Sequence, residues 1–260
     1  MPNKIICFDL DGTLINNHGA IHPADVQILA THREDLLIPA TGRSLDSVRK
    51  IFAKNGLFIG QPLPFPLVLQ NGAVLYAEGE RLLAYFLFEE EAQAQLIQVL
   101  MGFPQAGVLF FDLNWLYCLH DNGLAKEAIR SLDFRALSFT EHSQAYRFSK
   151  CMCFADDLKI LMAIREAVKP LGVGAFQSLP LALEICPQGV NKANGILELV
   201  KLLGIEDYTL YAVGDSENDL PMLDLAHYSY APTTADGDVS ARVEHIIDAG
   251  KNGVLAPILG

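Results

Sequence analysis

Short apolar runs that stop abruptly at polar loops constrain this chain more than any other feature. Ile5-Ile6-Cys7-Phe8 ends at Asp9-Leu10-Asp11-Gly12-Thr13, and Leu36-Leu37-Ile38-Pro39-Ala40 ends at Thr41-Gly42-Arg43-Ser44. Tyr208 to Val213 ends at Gly214-Asp215-Ser216-Glu217-Asn218-Asp219. A continuous apolar run reads as a strand buried on both faces, and each of these is followed by a helical pattern. Strand and helix in alternation predict a parallel sheet covered by helices. Such a sheet gathers the loops that follow its strands at one edge, the carboxyl edge, where ligands of open α/β sheets bind.

The first of these loops carries two aspartates two residues apart. Side chains of a strand alternate with period two, so Asp9 and Asp11 point the same way if strand geometry persists through them. Carboxylates that close repel one another and call for a cation, and a divalent metal is the sparest answer. An Asp-x-Asp-Gly-Thr segment also serves as an ordinary exit from strand to turn. The metal reading gains its force from the other loops.

The chain of 260 residues is long enough for one large domain or two moderate ones. With 51% hydrophobic and 19% charged residues it is a globular sequence, not a disordered one. A formal net charge of −12 argues against a general nucleic-acid binder, which needs a basic footprint, and against docking on anionic lipid. An anionic substrate stays compatible, because a bound cation reverses the local field. Met1-Pro2-Asn3-Lys4 is too short to hold a signal core before the first strand, so a cytoplasmic location is expected. The five cysteines, Cys7, Cys118, Cys151, Cys153 and Cys186, make no Cys-x-x-Cys pair, and free thiols packed in the core are expected.

Along the chain the rhythm changes twice. Residues 1–82 alternate strand and helix: a helix from Pro23 to about Arg33, one from Ser44 as N-cap to about Lys54, and a third strand at Pro66-Leu67-Val68-Leu69 before Gln70-Asn71-Gly72-Ala73. Residues 83–186 read as α+β with antiparallel hairpins. The alternation resumes over 187–260, where Asn191 caps a helix running to about Leu203. The expected architecture is a parallel α/β core, residues 1–82 plus 187–260, with an α+β insert at 83–186.

Four loops at the carboxyl ends of expected core strands therefore collect Asp9 and Asp11, Thr41, the Gln188–Lys192 segment, and Asp215 with Asp219. Asp215 and Asp219 are four apart where a helix starts, a spacing that puts both on one face near the positive helix end. Each piece has an ordinary structural reading. Thr41-Gly42 is a helix-entry turn, Lys192 a solvated first-turn lysine, Asp215 an N-cap and Asp219 a first-turn acid. Together, four carboxylates, a hydroxyl and an ammonium fit phosphoryl transfer. A metal and a lysine offset the charge of phosphate and nucleophile, and a hydroxyl positions an oxygen.

This ordered set resembles the haloacid dehalogenase-like (HAD) superfamily, most closely its Cof-like sugar-phosphatase branch. The matching segments are Phe8-Asp9-Leu10-Asp11-Gly12-Thr13-Leu14, Ala40-Thr41-Gly42-Arg43, Lys192 in Gly189-Val190-Asn191-Lys192, and Gly214-Asp215-Ser216-Glu217-Asn218-Asp219. Gln70-Asn71-Gly72-Ala73 is similar to a further signature of that branch. The resemblance covers the whole chain and implies a HAD-like Rossmannoid core with an inserted α+β cap domain that selects the substrate. It implies that Asp9 attacks phosphorus and becomes an aspartyl-phosphate. Asp11 protonates the leaving alkoxide and then deprotonates water, Thr41 bonds a phosphoryl oxygen, and Lys192 neutralises charge. It also implies Mg²⁺ held by the Asp9 carboxylate, the Asp11 backbone carbonyl, Asp215 and Asp219; oxygen ligands with retained waters suit that ion. Asn218 is expected near the phosphate, with Arg43 and Asn71 at the rim of the substrate site. The implied substrate is a small phosphorylated metabolite such as a sugar phosphate.

The chain departs from the branch at Ser216, where asparagine is common, and at Tyr230-Ala231-Pro232-Thr233-Thr234-Ala235, which replaces a Gly-Asn-Ala loop. A phosphomutase of the same superfamily is the alternative within enzymes. A receiver-type phospho-acceptor protein is a remote one, because receivers place the acidic pair and the acceptor in a different order. In the insert, Tyr117, His120, Asp121 and Asn122 cluster near an expected strand end as candidate substrate contacts. Oligomeric state is not legible from the sequence.

Overall fold

The computed structural model describes residues 4–113, 115–131, 136–140 and 146–259. The chain forms two compact units, Met1–Ala84 with Asn191–Gly260, and Tyr85–Val190. In order, the first stretch holds β1 (Lys4–Phe8), α1 (Pro23–Thr31), β2 (Leu36–Pro39), α2 (Leu45–Lys54), β3 (Leu67–Leu69), β4 (Val74–Ala77) and β5 (Arg81–Tyr85). The insert holds α3 (Glu90–Met101), β6 (Gly107–Phe111), β7 (Leu116–His120), α4 (Gly123–Ser131), β8 (Ala136–Ser138), β9 (Lys150–Phe154), α5 (Leu158–Val168), β10 (Gly174–Leu179) and β11 (Ala182–Cys186). The chain then returns through α6 (Lys192–Leu202), β12 (Thr209–Val213), α7 (Leu220–Leu225), β13 (Tyr228–Pro232), α8 (Gly237–Ser240), β14 (His245–Ile247), α9 (Ala249–Asn252) and α10 (Ala256–Leu259).

The first unit is built on a five-stranded sheet in the order β14-β13-β12-β1-β2, with every pair parallel. The chain leaves β1 toward β2 on one side, and its later strands extend the sheet on the other. The order therefore reverses at β1 and β12, and the loops after these two strands diverge around a crevice. Ile5, Cys7, Leu210 and Ala212 on one sheet face pack against Ile196, Leu199 and Val200 of α6. Burial of such side chains at about 25 cal/mol per Å² holds the helix to the sheet. Both expected helix caps are present. The Ser47 amide donates to Ser44 Oγ at 3.4 Å, and the Asn194 amide to Asn191 Oδ1 at 2.9 Å. On α1 the buried Asp25 carboxylate accepts the Val254 and Leu255 amides at 2.8 and 2.9 Å, tying that helix to the chain's last turn.

Three features depart from the sequence expectations. The third apolar run does not join the parallel sheet: β3, β4 and β5 form a separate three-stranded sheet, linked to β2 by one bridge between Ala40 and Val68. Tyr228 to Pro232, half of which was read as loop, is a strand, because its backbone pairs with β12 on one side and β14 on the other. β8 has too few apolar residues to show in sequence and exists as the parallel partner of β7.

The insert carries a six-stranded sheet in the order β10-β11-β9-β6-β7-β8, antiparallel except between β7 and β8. One face buries Val108, Phe110, Cys151, Cys153 and Ile185 against Leu96 of α3 and Ile164 of α5. The other presents Leu109, Leu116, Met152 and Phe154 to Ala125 of α4. The cysteines are free thiols, four of the five buried. Among the described residues, no helix is long and apolar enough to cross a membrane.

Candidate active site

β1 ends at Phe8, so the strand geometry that would align the two aspartates does not persist. The Asp9 amide still donates to Val213 O at 3.0 Å, as the last rung between β1 and β12. Beyond it the chain turns: Ile15 N–H donates to Leu10 O at 2.8 Å and Gly12 N–H to Ile15 O at 3.0 Å. Gly12 sits at φ +78, a left-handed conformation suited to glycine, and a Cβ there would lie 2.4 Å from Asp215 Oδ2. The turn sends the two carboxylates apart. Asp9 is buried at 4% exposure, whereas the Asp11 side chain is 44% exposed.

Asp9 joins Lys192, Asp215 and Asp219. Lys192 stands at the first turn of α6, next to its Asn191 cap. Its position depends on Gly72, at φ +101, where a Cβ would come within 2.3 Å of Asn191 O; the Gln70–Gly72 turn packs directly on the start of α6. The ammonium is wholly buried and donates to Asp9 Oδ1 and to Asp219 Oδ1, both at 2.6 Å. The solvated first-turn reading of Lys192 is thereby overturned. Asp219 Oδ2 accepts the amides of Asp215 and Ser216 at 3.0 and 3.1 Å, and Ser216, not Asp215, is the N-cap of the turn that follows. Asp215 Oδ1 instead accepts the Thr13 hydroxyl at 2.7 Å.

The electrostatics follow from three carboxylates and one ammonium in a buried place. Burial raises the Asp9 carboxyl; Lys192 opposes this, while Asp219, Asp215 and Asp11 add to it, and the result stays well above the usual carboxylate range. Asp215 is pushed up to about 7 by burial and by the Asp219 charge, against the Thr13 hydrogen bond and Lys192. Burial alone would pull the Lys192 ammonium down, but Asp219 and Asp9 outweigh it and hold the proton more firmly than on a free lysine. One carboxylate oxygen from each of Asp9, Asp215 and Asp219 falls within 4.8 Å of the others. That donor set is all oxygen, hard and surplus in negative charge, which fits a small divalent cation.

Asp11 lies outside that carboxylate group. Arg43 grips it in a fork, with Nε donating to Oδ2 and Nη2 to Oδ1, both at 2.6 Å, and Nη1 donating to Ser47 Oγ at 2.6 Å. Arg43, expected at a substrate rim, thus holds Asp11. Thr41 is 1% exposed, and its hydroxyl oxygen accepts the Arg43 amide at 3.2 Å. Gln70 and Asn71 adopt positive φ values of 49 and 58, rare for residues other than glycine. Their amides donate to Arg43 O and Thr41 O at 3.1 and 3.0 Å, which straps this turn to the Thr41 loop. Asn218 Nδ2 donates to Asn71 Oδ1 at 3.2 Å, and Ser216 Oγ to Asn218 Oδ1 at 2.8 Å. Sequence reasoning gave no role to Thr13, Ser216 or Ser47. Thr13, a hydroxyl directly after the Gly12 turn, carried the one local signal.

Of the four insert residues singled out in the sequence, Tyr117 is buried in the core, Asn122 accepts the Ala125 amide at the start of α4, Asp121 pairs with Lys126 at 3.1 Å, and His120 Nδ1 is buried without a hydrogen-bond partner.

Strand-end carboxylates and a buried lysine at the switch point of a parallel sheet fit a hydrolase of phosphoric monoesters, and the comparisons show that class by family. The model of the haloacid dehalogenase-like hydrolases matches residues 6–259, and the chain belongs to that family. It is 24% identical over 280 residues to the 5-amino-6-(5-phospho-D-ribitylamino)uracil phosphatase YwtE of Bacillus subtilis, covering 96% of this chain and 95% of that one. It is 26% identical to the pyridoxal phosphate phosphatase YbhA of Escherichia coli, covering 100% and 98%. Among solved structures, a haloacid dehalogenase-like hydrolase from B. subtilis superposes with a TM-score of 0.80 at 19% identity, over 94% of each chain. A sugar phosphatase of HAD subclass IIB superposes with a TM-score of 0.77 at 20% identity, over 94% and 92%. These likenesses show the parallel-sheet core with an inserted α+β cap domain.

Proposed function

We propose that this enzyme is a Mg²⁺-dependent phosphatase of small hydroxylated phosphomonoesters, sugar or polyol phosphates, working through an aspartyl-phosphate on Asp9. The observation that carries this reading is the Asp9 carboxylate, buried at a strand end and held at 2.6 Å by a lysine that also grips Asp219. The names of relatives that act on a phosphorylated ribityl compound and on pyridoxal phosphate support a small organic phosphate as substrate.

Asp9 forms the new bond to phosphorus as the ester P–O bond breaks. The departing alkoxide takes a proton from Asp11, whose carboxyl must first leave the Arg43 fork, in which both its oxygens accept, and take up a proton. In the second half, water attacks the same phosphorus, gives its proton back to Asp11, and the bond to Asp9 breaks to release phosphate. Lys192 offsets the charge on Asp9 and the transferring group, and the Thr41 hydroxyl, anchored between two loops, bonds a phosphoryl oxygen. Mg²⁺, held by Asp9, Asp215 and Asp219 with the Asp11 carbonyl, would neutralise the phosphoryl charge.

The test is phosphate release from sugar phosphates and p-nitrophenyl phosphate with Mg²⁺ or with EDTA, for the natural chain, Asp9→Ala and Asp11→Asn. Asp9→Ala should abolish turnover. Asp11→Asn should lose roughly 10²–10⁴-fold on sugar esters, whose leaving groups need a proton, and less on p-nitrophenyl phosphate. Full activity in chelator with metal verified absent would sink the metal role, and equal losses on both esters would remove Asp11 as the acid.

A further inference from the structure

Asp11 stands on a segment that does not hold its own shape. After β1 the chain runs through Asp11 into a short hairpin that ends at Ile21, just before α1. Single bridges tie Asp11 to Ile15 and Ile15 to Ile21, and the Asn16 amide donates to Ala20 O at 3.1 Å. Asn16, Asn17, His18 and Ala20 are exposed. A lone hairpin of this size is marginal in water, so what it rests on sets its position.

The support is α2. At its start, Ser47 Oγ accepts Arg43 Nη1 at 2.6 Å, and Arg43 holds the Asp11 carboxylate. At its end stands Asn55, the residue that closes the helix. Its side-chain amide is used on both sides. Oδ1 accepts the Ile21 amide at 2.9 Å, while Nδ2 donates to Gly19 O at 3.0 Å and to Ile51 O, one turn back in α2, at 2.9 Å. Beside it the Lys54 ammonium donates to His18 O at 2.9 Å. Closing the helix does not require these side-chain bonds. The Asn55 backbone N–H already reaches Ile51 O and Phe52 O at 3.2 and 3.1 Å, and Gly56 takes the positive φ of +76 that follows. The bonds to the hairpin span 34 and 36 positions, and two bridges carry their constraint from Ile21 through Ile15 to Asp11.

Asp11 needs a fixed base more than its neighbour does. Asp9 is held by the last rung between β1 and β12 and by Lys192. The Asp11 carboxyl has to exchange the Arg43 fork for the leaving group by turning about its own side-chain bonds. That turn ends in one place only if the Asp11 backbone stands still. A misplacement of about 1 Å costs up to about a hundredfold in rate. Residues behind a catalytic group are what keep it within such a limit.

We propose that Asn55 is a positioning residue for the reaction: its side-chain amide fastens the hairpin of residues 11–21 to α2 and thereby sets where the Asp11 carboxyl delivers its proton. The proposal rests on the phosphatase reading above, and in it Asn55 acts only through Asp11.

The experiment uses the full chain with Mg²⁺. kcat and KM are measured on the best substrate of a sugar phosphate panel, on phenyl phosphate and on p-nitrophenyl phosphate. The proteins are the natural chain, Asn55→Ala, Asn55→Asp, Asp11→Asn and the double variant Asp11→Asn/Asn55→Ala, with thermal melts to report folding. The readout is the ratio of kcat on the sugar ester to kcat on p-nitrophenyl phosphate, whose leaving group needs little protonation. Every ester meets the same quantity of folded enzyme, so a mere loss of stability leaves the ratio unmoved. Asn55→Ala should lower it by roughly fivefold or more, through kcat, with KM within about twofold. In the Asp11→Asn background the same substitution should leave the ratio within about twofold, because the group it positions is gone. A smaller fall in the single variant, or an equal fall in both backgrounds, overturns the proposal. If Asn55→Ala fails to fold, Asn55→Asp, which keeps the acceptor for the Ile21 amide and loses both donors, decides by the same ratio. Should neither fold, the residue serves the fold and the proposal is wrong. Phenyl phosphate replaces the sugar ester if no sugar ester is cleaved, and a natural protein that cleaves p-nitrophenyl phosphate alone also overturns the proposal. A ratio that falls in Asp11→Asn but not in Asn55→Ala refutes the role of Asn55 alone. A ratio unmoved in Asp11→Asn removes the acid and the role of Asn55 together, and no phosphate release from any ester defeats the phosphatase reading itself.

Discussion

Replacing Lys192 by methionine tests the electrostatic design of the site directly. The substitution keeps much of the side-chain volume and removes one charge. In the natural chain three carboxylates, Asp9, Asp215 and Asp219, share one buried ammonium, which makes two contacts of 2.6 Å. Removing the partner of a buried ion pair costs about 3–5 kcal/mol, because the remaining charge is left uncompensated. Here the loss should be larger at pH 8 in EDTA, where more of the carboxylate charge is left without its cation, than at lower pH. It is a large fraction of the 5–15 kcal/mol that holds a typical domain together, as a rough guide.

Two dependences distinguish this cause from a simple packing defect. The first is pH. Asp9 lies well above its ordinary value in the folded state and Asp215 is raised to about 7. A carboxyl with a raised folded pKa binds its proton more tightly folded than unfolded, so stability rises as pH falls through that value. Losing Lys192 raises these carboxyls further, so the deficit of the variant should shrink between pH 8 and pH 5. The second is metal. A cation that binds only the folded state at 100 times its Kd adds about 2.7 kcal/mol, and the more negative variant site should gain more than the natural one from saturating Mg²⁺. The assay is urea denaturation of both chains at pH 8 and pH 5, in EDTA and in Mg²⁺. A loss under about 1 kcal/mol at pH 8, or one that is the same at both pH values, would refute the reasoning.

Two further outcomes follow from the same geometry. Asp215, at about 7, must lose its proton to bind a cation, so the apparent affinity for Mg²⁺ should weaken by up to about tenfold per pH unit below 7; calorimetry in two buffers of different ionisation heat should detect the released proton. Gly12→Ala should lose most activity and bind Mg²⁺ poorly, because φ +78 strains an alanine and its Cβ would displace the Asp215 carboxylate from 2.4 Å away; kinetics within twofold of the natural chain would show that the turn can yield.

How much of this was legible in the sequence depends on the range of the forces involved. The caps Ser44 and Asn191 were readable because a cap is a local event, one side chain reaching an amide three residues on. The βα alternation and the insert were readable because burial on both faces, or on one, leaves a pattern within a single element. β13 was missed because its identity as a strand comes from neighbours on both sides, not from its own composition. The shared direction of Asp9 and Asp11 failed because β1 stops one residue before the pair and the Gly12 turn separates them. The fork from Arg43 to Asp11 was not legible, since no local rule announces a contact reaching across 32 positions.

The amino-acid sequence by itself thus determined the parallel core, the inserted α+β unit and the loops that carry Asp9, Asp11, Thr41, Asp215 and Asp219 beyond core strands; the expected core strand before Lys192 is instead β11 of the insert, and Lys192 stands in the first turn of α6. Periodicity, capping and turn chemistry act over a few residues and are written into the order of the chain. Only the tertiary structure decided which of those groups meet. It put Lys192 between Asp9, 183 residues away, and Asp219, 27 residues away, turning an apparently solvated lysine into a buried counter-charge. It also gave Asp11 to Arg43 and Asp215 to Thr13. The physical reason is that electrostatic pairing depends on distance in space and on the water excluded from it, and both are created by the packing of α6 and its neighbours on the sheet.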